Sequence, residues 1–348
     1  MKKRLIAFIA VAISAVSAVF SGCSCTGNDP LSFDFELPKA ETLSYKVEHV
    51  VDYNESTKKN AELDNYFTFN YQVGTYKSVL KAADKSEVPY KSDILDIKEP
   101  NGEALVKTVY SLTTEFEIGL TVTIDESEKE YTERITTVAY IASFGISFAP
   151  LYAEENAEYT NIALGEKTSV SVLKSETKTF YDKEEYHTVK RAKYFAADET
   201  VTLDGVDAEE TTTKYAFRSA IDNAEFLFAV RSLKIDEKAA KSINVVSSGF
   251  SAPQPVKITN TAASENDFSF NYNGNTVTEK IKYASLSYSL DKTNASGIPQ
   301  YASVQTESAG QVKNTCLLLE YVKPLITYGS NFMSMGALKF TLTTVETI

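Results

Sequence analysis

The sequence predicts a β-dominated α+β fold: long, curved antiparallel strands in a half-barrel or sandwich-like sheet, with one or two packed helices. Three observations predict it. Ten consecutive even positions from Val106 to Ile124 are apolar or β-branched, while the odd positions are mostly polar, the period of a half-buried strand. The dipeptides Asp204-Gly205 and Asn273-Gly274 lie beside further strand-like runs, as tight hairpin turns do. Only residues 221–233 carry convincing helical spacing.

The chain begins with Lys2, Lys3 and Arg4, then runs apolar from Leu5 to Phe20, interrupted only by Ser14 and Ser17. That run falls short of the roughly 20 residues that span a bilayer, and its flanks are those of a secretory signal. Phe20-Ser21-Gly22-Cys23 resembles the lipobox of bacterial lipoproteins, with Phe20 where Leu, Val or Ile is more usual. The resemblance implies a signal peptide over 1–22, lipidation of Cys23 and an extracytoplasmic protein anchored in the cell membrane. Each buried acyl CH₂ contributes about 0.8 kcal/mol, so two or more chains anchor stably. Residues 23–40, with Gly27, Pro30 and Pro38, then read as the lipidated cysteine and its tether. The resemblance extends over these residues alone.

The body, 41–348, follows as strands. At ~3.3 Å per residue, the stretch Val106–Ile124 would reach about 60 Å, so Gly119 is expected to mark a bulge or bend. The charged run Asp125–Glu130 turns the chain into a second strand-rich stretch, Tyr131–Phe148, whose phase shifts near Thr136–Val138. Asp204-Gly205 and Asn273-Gly274 are read as type I′ turns. Leu286, Tyr288 and Leu290 alternate into a longer turn at 291–297, the chain returns through Tyr301–Thr306, and Leu338, Phe340 and Leu342 make a last strand. Asp222 is placed as helix N-cap, Glu225 completes a capping box, and Ile221 staples against Phe226. Ala239 and Ala240 allow a second, weaker helix. Residues 247–255, Ser- and Pro-rich, are the best break, where the body either divides or loops out. No repeat of 20–50 residues occurs.

Composition narrows the function. With 35 Lys+Arg against 47 Asp+Glu, the formal charge is -12, which disfavours nucleic-acid phosphates as partners. Two histidines and three cysteines leave little for metal or imidazole chemistry. In the body Cys316 stands alone, so no internal disulfide framework is expected, and its apolar neighbours mark it as a small buried hydrophobe. His49 and His187 each sit inside an alternating strand.

Catalytic motifs are missing. Ser78–Lys81, Ser171–Lys174 and Ser175–Lys178 have the Ser-x-x-Lys spacing of penicillin-recognising enzymes, but neither companion element is present. There is no nucleophile elbow, no phosphate-cradling glycine loop and no paired-cysteine zinc spacing. The acidic groups at 125–130, 154–158 and 204–210 lack EF-hand spacing and read as solvated hairpin ends. Neither a metal nor a cofactor is expected.

The expected function is therefore non-enzymatic. Long amphipathic strands, a tether and one amphipathic helix are similar in outline to the half-open β-barrel carriers among envelope lipoproteins, which hold an apolar ligand under a helical lid. That resemblance makes Phe226, Val230 and Leu233 the candidate ligand-facing helix, with an apolar small molecule or an envelope protein as partner. A structural or adhesive surface protein is the alternative.

Overall fold

The computed structural model describes residues 38–50, 67–124, 127–144, 147–160, 163–164, 168–169, 172–195, 202–231, 238–247, 252–290, 301–305, 316–321 and 337–348. Residues 1–37, on which the expected signal peptide, the Cys23 lipidation and most of the expected tether fall, and Leu233 lie outside them. The strands are β1 (Ala40–Val50), β2 (Phe67–Tyr71), β3 (Gly74–Ala83), β4 (Thr108–Ile124), β5 (Ser127–Phe144), β6 (Ser147–Thr160), β7 (Ala163–Leu164), β8 (Thr168–Ser169) and β9 (Val172–Tyr181). They continue as β10 (Glu185–Phe195), β11 (Thr202–Lys214), β12 (Ala220–Asp222), β13 (Ala240–Val246), β14 (Gln254–Tyr272), β15 (Asn275–Leu290), β16 (Tyr301–Gln305), β17 (Cys316–Tyr321) and β18 (Ala337–Thr347). A 3₁₀ turn, Asn223–Glu225, leads into a short helix, α1 (Phe226–Val230).

Apart from the β7–β8 hairpin, all of these strands join one sheet, in the order β11-β10-β9-β6-β5-β4-β3-β1-β18-β17-β16-β15-β14-β13-β12, with β2 beside β4. The path is a meander that starts in its own middle. From β1 the chain works outward through hairpins to one edge at β11, crosses to the opposite edge at β12, and works back until β18 pairs with β1. A short parallel contact, Asn271 and Tyr272 against Thr344 and Val345, links β14 to β18. The result is a single curved, unclosed sheet, the half-barrel form of the expectation and not a sandwich.

The long strand is as long as its pattern demands. Along β4, Leu112, Thr114, Phe116, Ile118 and Leu120 are all buried, while Glu115 and Glu117 face out. Thr114 meets Thr137 of β5 through a buried hydroxyl–hydroxyl bond of 2.6 Å. Gly119 is not a bulge, because the β4–β5 register runs unbroken past it. A side chain there is excluded for another reason: a Cβ would come within 2.6 Å of the Gln72 amide, where the neighbouring strand breaks between β2 and β3. The expected phase shift near Thr136–Val138 is also absent. Glu133, Thr137, Ala139 and Ile141 keep one parity of β5 buried, and the register slips only at Tyr140/Ile141 opposite β6.

Two turn signals met different fates. Asn273 and Gly274 take φ of 47° and 87° between β14 and β15, as a type I′ turn requires. Asp204-Gly205 is no turn and lies inside β11. There Ala192 faces Val206 and Tyr194 faces Leu203, so an extra residue is bulged out, and glycine serves the bulge. The second helix is likewise absent. Ala240 opens β13, whose Ile243 and Val245 are β-branched and buried against β14, so tertiary pairing overrides alanine's helical preference.

Two clusters of buried side chains form the core. The main one fills the curve of the sheet with Leu43, Leu80, Phe116, Ile118, Ile141, Phe148, Phe340 and residues of α1. A second gathers Val109 of β4 and Ala142 of β5, on the opposite face, with Leu151, Tyr152, Tyr181, Tyr186 and Tyr215. It is roofed by the 84–107 connection, whose Ile94 is fully buried and whose Ser92 hydroxyl donates to the Tyr181 carbonyl. Sequence patterning gave no sign of that roof.

Candidate functional site

The helical segment is the place where the expected site can be judged. Asp222 is the N-cap as expected: its Oδ1 accepts the Ala224 N–H at 2.8 Å. Glu225 completes the box by accepting from the Asp222 backbone N–H, which satisfies two orphan donors. The helical segment's first turn, Asn223–Glu225, is 3₁₀, and only Phe226–Val230 are α-helical. Ahead of the cap, Ala220, Ile221 and Asp222 pair in parallel with Asn244, Val245 and Val246, and Ile221 and Phe226 are buried in the same core.

Of the three candidate ligand-facing residues, Phe226 is 2% exposed and belongs to the main core. Val230 closes α1, and Leu233 is outside the described residues. The apolar work is done by Phe228, a residue the i, i+3, i+4 stripe passed over. Its ring meets Phe148 edge-on at 5.7 Å. Beside it, Leu43, Tyr45, Tyr76, Ser78, Leu80, Leu112 and Arg231 line a cavity of about 20 Å³, room for a water molecule.

Arg231, just after α1, binds Glu41 of β1 through two parallel bonds, Nη1–Oε1 at 2.5 Å and Nη2–Oε2 at 3.0 Å. Both side chains are buried, at 4% and 7% exposure, so the fork-to-fork geometry offsets their lost hydration. The pair ties the helix to the strand that begins the sheet, 190 residues away. No local spacing betrays it.

On the other side of the segment lies a cluster of phenols and carboxyls. Tyr181, Tyr186 and Tyr215 pack mutually with ring centres 5.7 to 5.8 Å apart. The Tyr181 hydroxyl donates to Asp222 Oδ2 at 2.5 Å. Burial pushes the Asp222 carboxyl up to about 6, against the pull of that bond and of the Ala224 N–H. Burial and the nearby Asp222 charge hold the Glu225 carboxyl well above its ordinary range. Burial also raises the Tyr181 and Tyr215 phenols.

The remaining chemistry of the sequence disperses. Ser78–Lys81 and Ser175–Lys178 lie on strands, where residues three apart point to opposite faces, so neither forms a nucleophile–base pair. His187 sits on β10, bonded through Nδ1 to Thr212 at 3.1 Å, and His49 lies in β1. Glu154 is no hairpin end: it sits in mid-strand and pairs with Lys178 of β9, while Glu158, near the end of β6, pairs with Lys174. Among the described residues, no three His, Cys, Asp or Glu side chains converge as a metal site would require. No described helix is long and apolar enough to cross a membrane.

No protein-family model matches the chain, and no curated protein is similar to it. A solved structure similar in outline is a β-barrel-like protein of a domain of unknown function, DUF1849, from Brucella abortus. It shares 7% identity and a TM-score of 0.39, covering 91% of this chain and 99% of that one.

Proposed function

We propose that the chain is a lipid-anchored, extracytoplasmic protein that acts without catalysis, its β-body serving as a firm scaffold that meets partners in the cell envelope. The observation that carries this reading is the dense packing among the described residues. Phe116 and Phe340 stack at 6.0 Å, Phe148 and Phe228 interlock, and the space left beside α1 is about 20 Å³. A carrier instead needs a preformed apolar cavity of the size of its ligand. The carrier reading has one point in its favour, the apolar lining of that cavity under a helix tied down by Arg231.

The folded body, purified without its lipid and examined by native mass spectrometry and lipid extraction, separates the two. The scaffold reading expects the bare polypeptide mass. An acyl ligand that co-purifies in stoichiometric amount overturns it in favour of the carrier. Anchoring rests on Cys23: Cys23→Ala should abolish fatty-acid labelling of the protein, and globomycin should leave a larger precursor that keeps its leader. Unchanged labelling and size in both cases defeat the lipoprotein reading.

A further inference from the structure

The two edges of the sheet, β11 and β12, are consecutive in the chain and are not paired with each other. Residues 215–219 join them, at the head of a segment that runs on through β12 and α1 to Arg231. It is fastened to one end of the sheet where Tyr215 N–H donates to the Glu184 carbonyl and Phe217 N–H to that of Lys183, at 2.9 and 3.0 Å. It is fastened to the other where β12 pairs with β13. Two carboxyl groups sit at its centre. We propose that this segment is a proton-operated fastener, which holds the two ends of the sheet together while Asp222 and Glu225 are protonated and loosens as they ionise.

The geometry supplies the reason. Asp222 and Glu225 are 7% and 1% exposed, and among the described residues no guanidinium or ammonium acts on them. Tyr181 faces Asp222 from β9, Tyr186 stands behind it on β10, and Tyr215 approaches Glu225 from the segment itself. Glu154 and Glu155 of β6 share a cleft with Asp222, and the Glu155 charge opposes its ionisation. From its inner face β5 offers Thr137 and, further along, the acid Glu133. Arg231, the segment's own terminal cation, is engaged by Glu41. Glu225 Oε1 and Tyr215 Oη are buried with no hydrogen-bond partner. A neutral acid tolerates such a site; a carboxylate does not.

Both carboxyls hold their proton more tightly folded than unfolded. Their contribution is therefore fully present below about pH 4, the range of free carboxyls, and falls as pH rises. The Asp222 share is spent by about pH 6, and the Glu225 share declines from the free-carboxyl range upward through its own raised value. The test is amide hydrogen exchange between pH 4 and 8, corrected for intrinsic rates. A rise of the Asp222 value from 3.8 to about 6 corresponds to a loss of protection on the order of a hundredfold in residues 220–231, with the β4–β5 hairpin unaffected. Glu225→Gln, neutral at every pH, should remove the Glu225 share and leave the smaller loss that belongs to Asp222. Uniform behaviour of segment and hairpin overturns the proposal, as does a Glu225→Gln protein whose loss between pH 4 and 8 equals the wild type's. Should the variant fail to fold, constant protection of the wild-type segment across that range is still decisive against it.

Discussion

The two cores of this protein solve the same burial problem with different chemistry. The main core counts one tyrosine, Tyr45, among its buried members, and otherwise packs Leu, Ile, Val, Ala and Phe. The second has four tyrosines in twelve, Tyr152, Tyr181, Tyr186 and Tyr215. An aliphatic or phenylalanine ring needs only shape. A phenol needs a partner for its hydroxyl as well, and the second core meets that need unevenly: Asp222 for Tyr181, Glu154 for Tyr152, none for Tyr215. The comparison teaches where this β-body is firm and where it is adjustable. Dispersion and burial fix the strands' share of the main core regardless of pH, whereas the second core, and the segment that carries Ile221 and Phe226 into the first, answer to which groups hold protons.

The sharpest way to break the comparison is through the main core. Phe340 is 1% exposed and touches both Tyr76 and Phe116, so Phe340→Ala should cost about 4 kcal/mol in denaturant unfolding. A loss below about 1 kcal/mol would mean that the interior relaxes into the space, as a ligand cavity would. Next in size is the buried ion pair. Arg231→Ala strands Glu41 in the interior and should cost about 3 kcal/mol, while Glu41→Leu with Arg231→Met together should recover most of it. Equal losses in the single and the double variant would show that the pair's charges are not what holds α1.

How much of this was legible beforehand follows from the range over which each signal acts. The β4 alternation, the Asn273-Gly274 turn and the Asp222–Glu225 box are local, and each is set by neighbours within a few residues. The Glu41–Arg231 pair spans 190 residues and the Ser92–Tyr181 contact 89, so nothing near either partner announces it. Asp204-Gly205 misled for a related reason. The dipeptide permits a turn, but the pairing of β11 with β10 decides whether the chain reverses there or merely bulges. Ala239 and Ala240 show the same dominance of sheet pairing over local propensity. The candidate site suffered most, since a helix's outward face can be told from its buried face only when the surrounding sheet is known.

A smaller effect probes the second core. Tyr181→Phe keeps the ring and its packing but removes the donor to Asp222 Oδ2. It should cost about 1–2 kcal/mol near neutral pH, where Asp222 is largely ionised and most needs the bond. The cost should shrink in acid, because a protonated carboxyl demands less of its neighbour. A loss that is the same at pH 4 and pH 8 would place the effect in packing and remove the contrast between the cores.

The smallest effect belongs to the sheet's wet surface, which tests the contrast from the opposite side. Arg134 of β5 reaches Glu117 of β4 at 3.1 Å across the exposed face, with 55% and 52% of the two side chains accessible. The Glu117 carboxylate raises the Arg134 value, but water and salt screen such a pair. Both side chains also give up conformational freedom to form it. Arg134→Ala should therefore change stability by less than about 0.5 kcal/mol, and that difference should vanish at high salt. The Arg231→Ala loss should barely respond to salt, since its partner is shielded from the solvent. If the two substitutions answered salt alike, Glu41 and Arg231 would have to be open to water in solution, and the firm attachment of α1 to β1 would have to be given up.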